Sequence, residues 1–192
     1  LDMFDRMGIV DELIATGVKA NGMRISSEGH ELAHVHLNGV ASAFPYSLLT
    51  AQTETERVLT DRLTVLGGTV ERGVELVGLT QDSAVVQLTL AHLDGTHETV
   101  DTSWVVGADG SHSAVRHLVG TKLEGSFKGE RFLLGDCDAR HHLDPESMYT
   151  VFGPAGTVVM MPMRGGRARL MAQVAQEPGT PLNLHPAQEE LQ

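Results

Sequence analysis

Trp104-Val105-Val106-Gly107-Ala108-Asp109-Gly110-Ser111-His112-Ser113-Ala114-Val115-Arg116 is the stretch that decides the fold class. Its apolar opening predicts a strand, Asp109-Gly110 a tight turn, and the run from Ser113 a helix. Such a strand carries a carboxylate at its C-terminal end, where ligands of open α/β sheets bind. Asp109 there can accept hydrogen bonds from ribose or ribityl hydroxyls. Gly110 lets a backbone or a pyrophosphate come close. Ser113 opens a helix whose N terminus favours an anion, and Arg116 adds a permanently charged fork. A plainer reading fits the same residues: Asp109 as a turn residue, and Ser111 or Ser113 as a helix cap.

Upstream, residues 1–8 read as the end of a helix stopped by Gly8, and residues 10–15 as a second helix closed by Gly17. Residues 21–26 and 32–37 read as a hairpin around Ser27-Glu28-Gly29-His30. His34 and His36 fall on one face of its second strand. They fit an outward polar face, and no third ligand is spaced to make them a metal site. Thr53 and Glu56 have the spacing of a capping box, so a helix is expected from there. Leu59, Leu63 and Leu66 would give it a buried stripe, and Gly67 or Gly68 would end it. Residues 69–72, 74–80, 84–92 and 98–106 read as successive strands, with turns at Asp82-Ser83 and Asp94-Gly95. Beyond the helix of residues 113–119 the pattern changes. Residues 131–139, 148–152, 158–163 and 167–175 are β-rich and joined by glycine turns, which predicts an antiparallel sheet. Residues 176–192 read as a loop entering a helix.

The segment around Asp109 resembles the second flavin motif, the Asp-Gly motif, of FAD-dependent aromatic monooxygenases of the p-hydroxybenzoate hydroxylase type. The order of elements is similar from residue 1 to about 175: a helix headed by Gln52, a short crossing sheet, the Asp-Gly motif, then a second sheet. The resemblance implies an α/β, Rossmann-like FAD domain over residues 1–120, and part of an α+β substrate domain with an antiparallel sheet over residues 121–192. No Gly-x-Gly-x-x-Gly loop occurs in the 192 residues, and the family places one before this point. Leu1 already lies in a helical pattern, so the expectation is an incomplete internal piece, inactive alone. Gly135-Asp136 sits inside a strand-like run, too early for the family's third motif.

The resemblance also implies roles. Gln52 would meet the ribityl region of FAD, and Asp109, Gly110, Ser113 and Arg116 would complete the cofactor site. The second sheet would cover the flavin ring. Phe152, Met160, Met161 and Met163 then become candidate substrate-pocket residues, although their plainer reading is the sheet's core. Methionine suits adaptable binding surfaces, which fits a bulky ring system. The implied activity is hydroxylation of a phenolic or polyketide-type aromatic substrate with NAD(P)H and dioxygen. The cofactor would carry the reactive chemistry, so the catalytic residues stay unknown. His112, His117, His141 and His142 are acid–base candidates with no partner fixed by spacing. Two alternatives stay open. One is a non-catalytic small-molecule-binding domain on the same fold. The other is a different flavoprotein, a reductase or a halogenase, although Trp104 is the only tryptophan.

Composition narrows the partners. A formal net charge of -11 argues against nucleic acid and against an anionic membrane surface. No run approaches the roughly 20 apolar residues of a spanning helix. The single Cys137 fits a reducing compartment, and a cytoplasmic location is expected. The strand ending at Asp109 is expected to have an open, apolar edge through which the chain self-associates.

Overall fold

Two short helices open the chain in the computed structural model, which describes residues 1–125 and 131–174. They are α1 (Asp2–Arg6) and α2 (Val10–Thr16). β1 (Val18–Ala20) pairs antiparallel with β4 (Ser47–Leu49), which runs directly into α3 (Gln52–Val65). Ile9, Leu13 and Val58 are buried together, with Phe4, Met7, Leu48 and Leu59 packed against them.

Two expectations about α3 change. Its packing side runs through Val58, which is fully buried, whereas Leu63 and Leu66 are 37% and 68% exposed. The reason is that α3 meets α2 midway along its length, where Val58 and Leu59 pack with Ile9 and Leu13. The capping box does not form. Extended Ala51 is the N-cap, with no side-chain cap, and Thr53 lies inside the first turn. The short β4 ends early enough to start the helix at Gln52.

β2 (Gly22–Ser27) and β3 (His30–His36) form the expected hairpin, turned by Glu28 (φ 49°) and Gly29 (φ 80°). β8 (Arg131–Asp138), β9 (Ser147–Gly153), β10 (Gly156–Met163) and β11 (Arg167–Val174) are the later strands. All six make one sheet of order β3-β2-β9-β10-β11-β8. It is mixed rather than purely antiparallel: β2 lies parallel to β9, with Gly22 beside Ser147 and Ser27 beside Phe152. A hairpin expected within residues 1–120 is thus part of the same sheet as the later strands.

The chain divides into two compact units that do not follow a boundary at residue 120. One comprises residues 1–68 with 131–174, the other residues 69–125. In the second unit, β5 (Val74–Gln81), β6 (Val86–His92) and β7 (His97–Thr102) form an antiparallel meander. Asp82 shapes its first turn by accepting the Ala84 and Val85 N–H groups at 2.7 and 2.9 Å. Residues 69–72 are not a strand. Neither is the run 103–108, which is unladdered. No strand among the described residues pairs with it, and Trp104 and Val106 stand 86% and 87% exposed. A 3-10 turn (Gly110–His112) and α4 (Ala114–Leu118) follow. The loop and helix expected over residues 176–192 lie outside the described residues.

Candidate functional site

Asp109 stands at the centre of a closed hydrogen-bond network in the second unit. Its Oδ1 accepts the Ser113 hydroxyl at 2.5 Å and its Oδ2 accepts the Val115 N–H at 3.1 Å. Ser113 Oγ in turn accepts the Arg116 N–H at 3.0 Å, so Ser113 is the N-cap of α4. The Arg116 guanidinium turns back onto the loop, donating to the Gly110 and Ser111 carbonyls at 3.2 and 2.6 Å. Gly110 has φ +76°, a conformation that strains any side chain. A Cβ at Gly107 would come 2.9 Å from Val115 Cβ, so the loop packs closely on α4 only because that side chain is absent.

The Ser113 hydroxyl, and then the Val115 N–H, hold the Asp109 carboxyl below the usual carboxylate range. The anion at the start of α4 is therefore the chain's own Asp109, and the fork of Arg116 is engaged within its own loop. Each Asp109 oxygen accepts one of these hydrogen bonds and keeps capacity for another. Nothing lies within 4 Å of the place a Gly110 Cβ would occupy. The turn is open on that side.

Gln52 belongs to the other unit. It is exposed on the first turn of α3, and its Nε2 donates to Glu56 Oε1 at 2.8 Å. Just before it, Thr50 and Ala51 line a cleft of about 360 Å³ with Met163, Arg164 and Arg167. Arg164 Nη1 donates to the Ala15 carbonyl at the edge of this cleft.

The pocket candidates are separated by the period of the strand. Directly paired residues share a face of a sheet, and neighbours along a strand alternate. Met161 and Met163 share one face of β10, whereas Met160 points to the other. Phe152, opposite Thr157, falls on the Met161 side. The register adds Met23, Met148 and Met171, which composition alone did not single out. The Thr150 hydroxyl lies 3.7 Å from Met23 Sδ on that same face. Arg169 and Asp136 also stand there, directly opposite one another. Their alignment with Met161 could have been found by matching alternation across adjacent strands. Of the histidine candidates, His141 accepts the Leu143 N–H within its own loop.

Residues 1–184 match the FAD binding domain family. The chain belongs to the FAD binding domain family. Within it, the chain is similar to 6-methylpretetramide 4-monooxygenase of Streptomyces rimosus, 34% identical over 84% of this chain and 29% of that protein. It is also similar to pentachlorophenol 4-monooxygenase of Sphingobium chlorophenolicum, 33% identical over 69% of this chain and 25% of that protein. The fold is that of p-nitrophenol 4-monooxygenase from Pseudomonas putida, with a TM-score of 0.82 at 20% identity, over 97% of this chain and 47% of that one. This FAD binding domain chain therefore spans between a quarter and a third of these two curated relatives. No helix among its described residues is long and apolar enough to cross a membrane.

Proposed function

We propose that this chain is part of an FAD-dependent hydroxylase that transfers one oxygen atom from dioxygen to an aromatic ring, with NAD(P)H as reductant. The observation that carries this reading is the family match over residues 1–184 to an FAD binding domain. The relatives' names, monooxygenases of a pretetramide and of pentachlorophenol, support a polyketide-type or phenolic substrate. A cytoplasmic location goes with this reading.

Residues 1–120 are proposed as the cofactor side and residues 121–192 as the substrate side. The six-stranded sheet draws β2 and β3 into the substrate side as well. Asp109 and Gly110 would hold hydroxyls of the FAD polyol, with Ser113 orienting the carboxylate and Arg116 bracing the loop. Gln52 would turn its amide from Glu56 toward the ribityl chain. When bound, FAD would supply the redox chemistry that couples NAD(P)H oxidation to oxygen transfer. The chain's own groups bind, orient and exclude water. Phe152, Met161 and Met163 would seat the aromatic ring, while Met160 packs on the far side of the sheet. The cleft beside Met163 and the first turn of α3 brings that face close to Gln52's helix, which supports a ring-binding role there.

The unladdered run at Trp104–Val106 supports self-association through this edge.

The deciding experiment uses the longer protein that contains this chain, purified with its flavin. NAD(P)H oxidation should accelerate when a phenol or polycyclic phenol is added, and labelled dioxygen should appear in the product. Bound FAD with no oxygen transfer to any ring would leave only a binding domain. Absence of flavin would overturn the cofactor assignment itself.

A further inference from the structure

The turn that joins β10 to β11 sets two arginines at one end of the methionine face. Arg164 opens it and Arg167 follows it, while Gly165 and Gly166, both at φ 75°, reverse the chain between them. Both arginines line the cleft of about 360 Å³ that Thr50, Ala51 and Met163 also line. Arg167 pairs directly with Met163 in the ladder, so the two side chains leave the sheet on the same face.

The arginines of this hairpin differ in what holds them. Arg164 donates through Nη1 to the Ala15 carbonyl. Arg169, two residues further along β11, is gripped by Asp136 at 2.8 and 3.1 Å. Arg167 has no ion pair and no side-chain hydrogen bond among the described residues, although Asp138 stands opposite it in the ladder. Glu54 is the one carboxylate among the lining residues of the cleft, and Arg57 already holds it at 3.1 Å. The cleft therefore sets two cations against one engaged anion. Ala51, in the same wall, is the N-cap of α3 and no side chain caps that helix, which adds to the positive field. The chain's net charge of -11 repels anions from afar, but salt screens exposed charges beyond about 10 Å. At contact the guanidinium decides. A ring lying along Met161 and Met163 would carry a substituent toward Arg167. A neutral substituent gains little there, whereas an oxyanion meets a planar fork with parallel N–H groups to offer.

We infer that this cleft is an oxyanion subsite, in which Arg167 meets the negative oxygen of an aromatic substrate that binds as an anion. A phenolate and a carboxylate share that chemistry, and the test separates them. The inference rests on the reading of the methionine face as the ring-binding surface, and it adds the charge of the ring.

The test uses the longer flavin-loaded protein near neutral pH, with binding measured by calorimetry so that no turnover is needed. 2-Naphthol is the neutral probe and 6-hydroxy-2-naphthoate the carboxylate. 4-Nitrophenol reports a phenolate, because its ionised form is yellow. The unaltered protein should show one of two effects. Either the naphthoate binds roughly 10- to 100-fold more tightly than 2-naphthol, the effect of one hydrogen bond to a charged group. Or bound 4-nitrophenol ionises about one to two pH units below the free phenol, the same factor seen as a titration. The first assigns the cleft to a carboxylate, the second to a phenolate. Arg167→Gln should abolish whichever effect is present, and Arg167→Lys, which keeps the charge without the fork, should retain part of it. Glu54→Gln removes the opposing charge and should strengthen the effect, which a merely structural arginine would not do. That variant also serves if the Arg167 variants fold poorly. Absence of both effects in the unaltered protein overturns the inference, as does an effect that survives Arg167→Gln or is unmoved in Glu54→Gln. Failure of all three probes to bind overturns it too, and NAD(P)H oxidation driven by another phenol would then show that the hydroxylase reading survives. The expected effects without oxygen transfer to any ring sink the hydroxylase reading and leave the oxyanion subsite standing.

Discussion

Asp109 Oδ2 accepts the backbone N–H of Val115 at 3.1 Å, so a carboxylate from the preceding loop sits on the first turn of α4. The same carboxylate takes the hydroxyl of Ser113, which caps that helix. One acidic side chain thus ties the loop to the helix that follows it.

Ser113→Ala removes both a helix cap and the partner of Asp109 Oδ1. Loss of an N-cap costs about 1 kcal/mol. Urea unfolding of the variant should show a loss of that order, and the Asp109 carboxyl should titrate closer to its ordinary value. Unchanged stability would mean that the cap contributes nothing in solution.

Asp109→Ala in the longer protein should weaken FAD binding by about 10- to 100-fold, the effect of losing a hydrogen bond to a charged group. Flavin release followed by fluorescence measures it. The strands of the six-stranded sheet should keep their amide exchange protection. Undiminished affinity would leave Asp109 as the turn residue of its own loop.

Acid should destabilise the protein through several aspartates at once. The carboxyls of Asp109, Asp136 and Asp144 are all held below the ordinary value of 3.8. The causes differ: the Ser113 hydroxyl for Asp109, the Arg169 guanidinium for Asp136 and the Glu146 N–H for Asp144. A depressed folded-state value means that the unfolded chain binds the proton more readily. The stability these groups contribute is full above 3.8 and is lost as pH falls through their lower folded values. Urea midpoints should therefore be flat down to about pH 5 and fall below about pH 4. Asp136→Asn should flatten part of that fall, and an identical acid profile would contradict the ion pair.

The unladdered run before Asp109 should make the 192-residue chain self-associate. Light scattering should show apparent mass rising with concentration. Val106→Lys places a charge on this edge and should hold the mass at that of one chain. A concentration-independent monomer for the unaltered chain would remove the edge as an interface.

Local features were readable in the residues. The Glu28-Gly29 turn, the Asp82 turn and the Ser113 cap depend on near neighbours in sequence, and each lies where the residue types put it. The N-cap of α3 was misplaced by two residues, at Thr53 instead of Ala51, because Thr53 and Glu56 have the right spacing, yet β4 ends before the box can close. Val58 was missed because the buried side of α3 depends on where α2 lies, which no local pattern encodes. Met160 could have been separated from Met161 and Met163 by the strand's two-residue period. Arg169 with Asp136 needed the register of two strands about thirty residues apart. The parallel joining of β2 to β9 had no signal at all, since each strand looks complete with its antiparallel neighbour.

That last joining has a consequence for synthesis. Asn21 hydrogen-bonds Glu146 through both backbone and side chain, at 2.7 Å each, across 125 positions. β2 emerges from a ribosome long before β9, while the meander of residues 74–102 between them is built only from adjacent hairpins. Near pairings close quickly and distant ones slowly. The meander would therefore mature first on the nascent chain, while the β2–β3 hairpin waits with one unpaired edge. Chaperone capture during that interval, rather than the final free energy, would set how much of this chain reaches its native sheet.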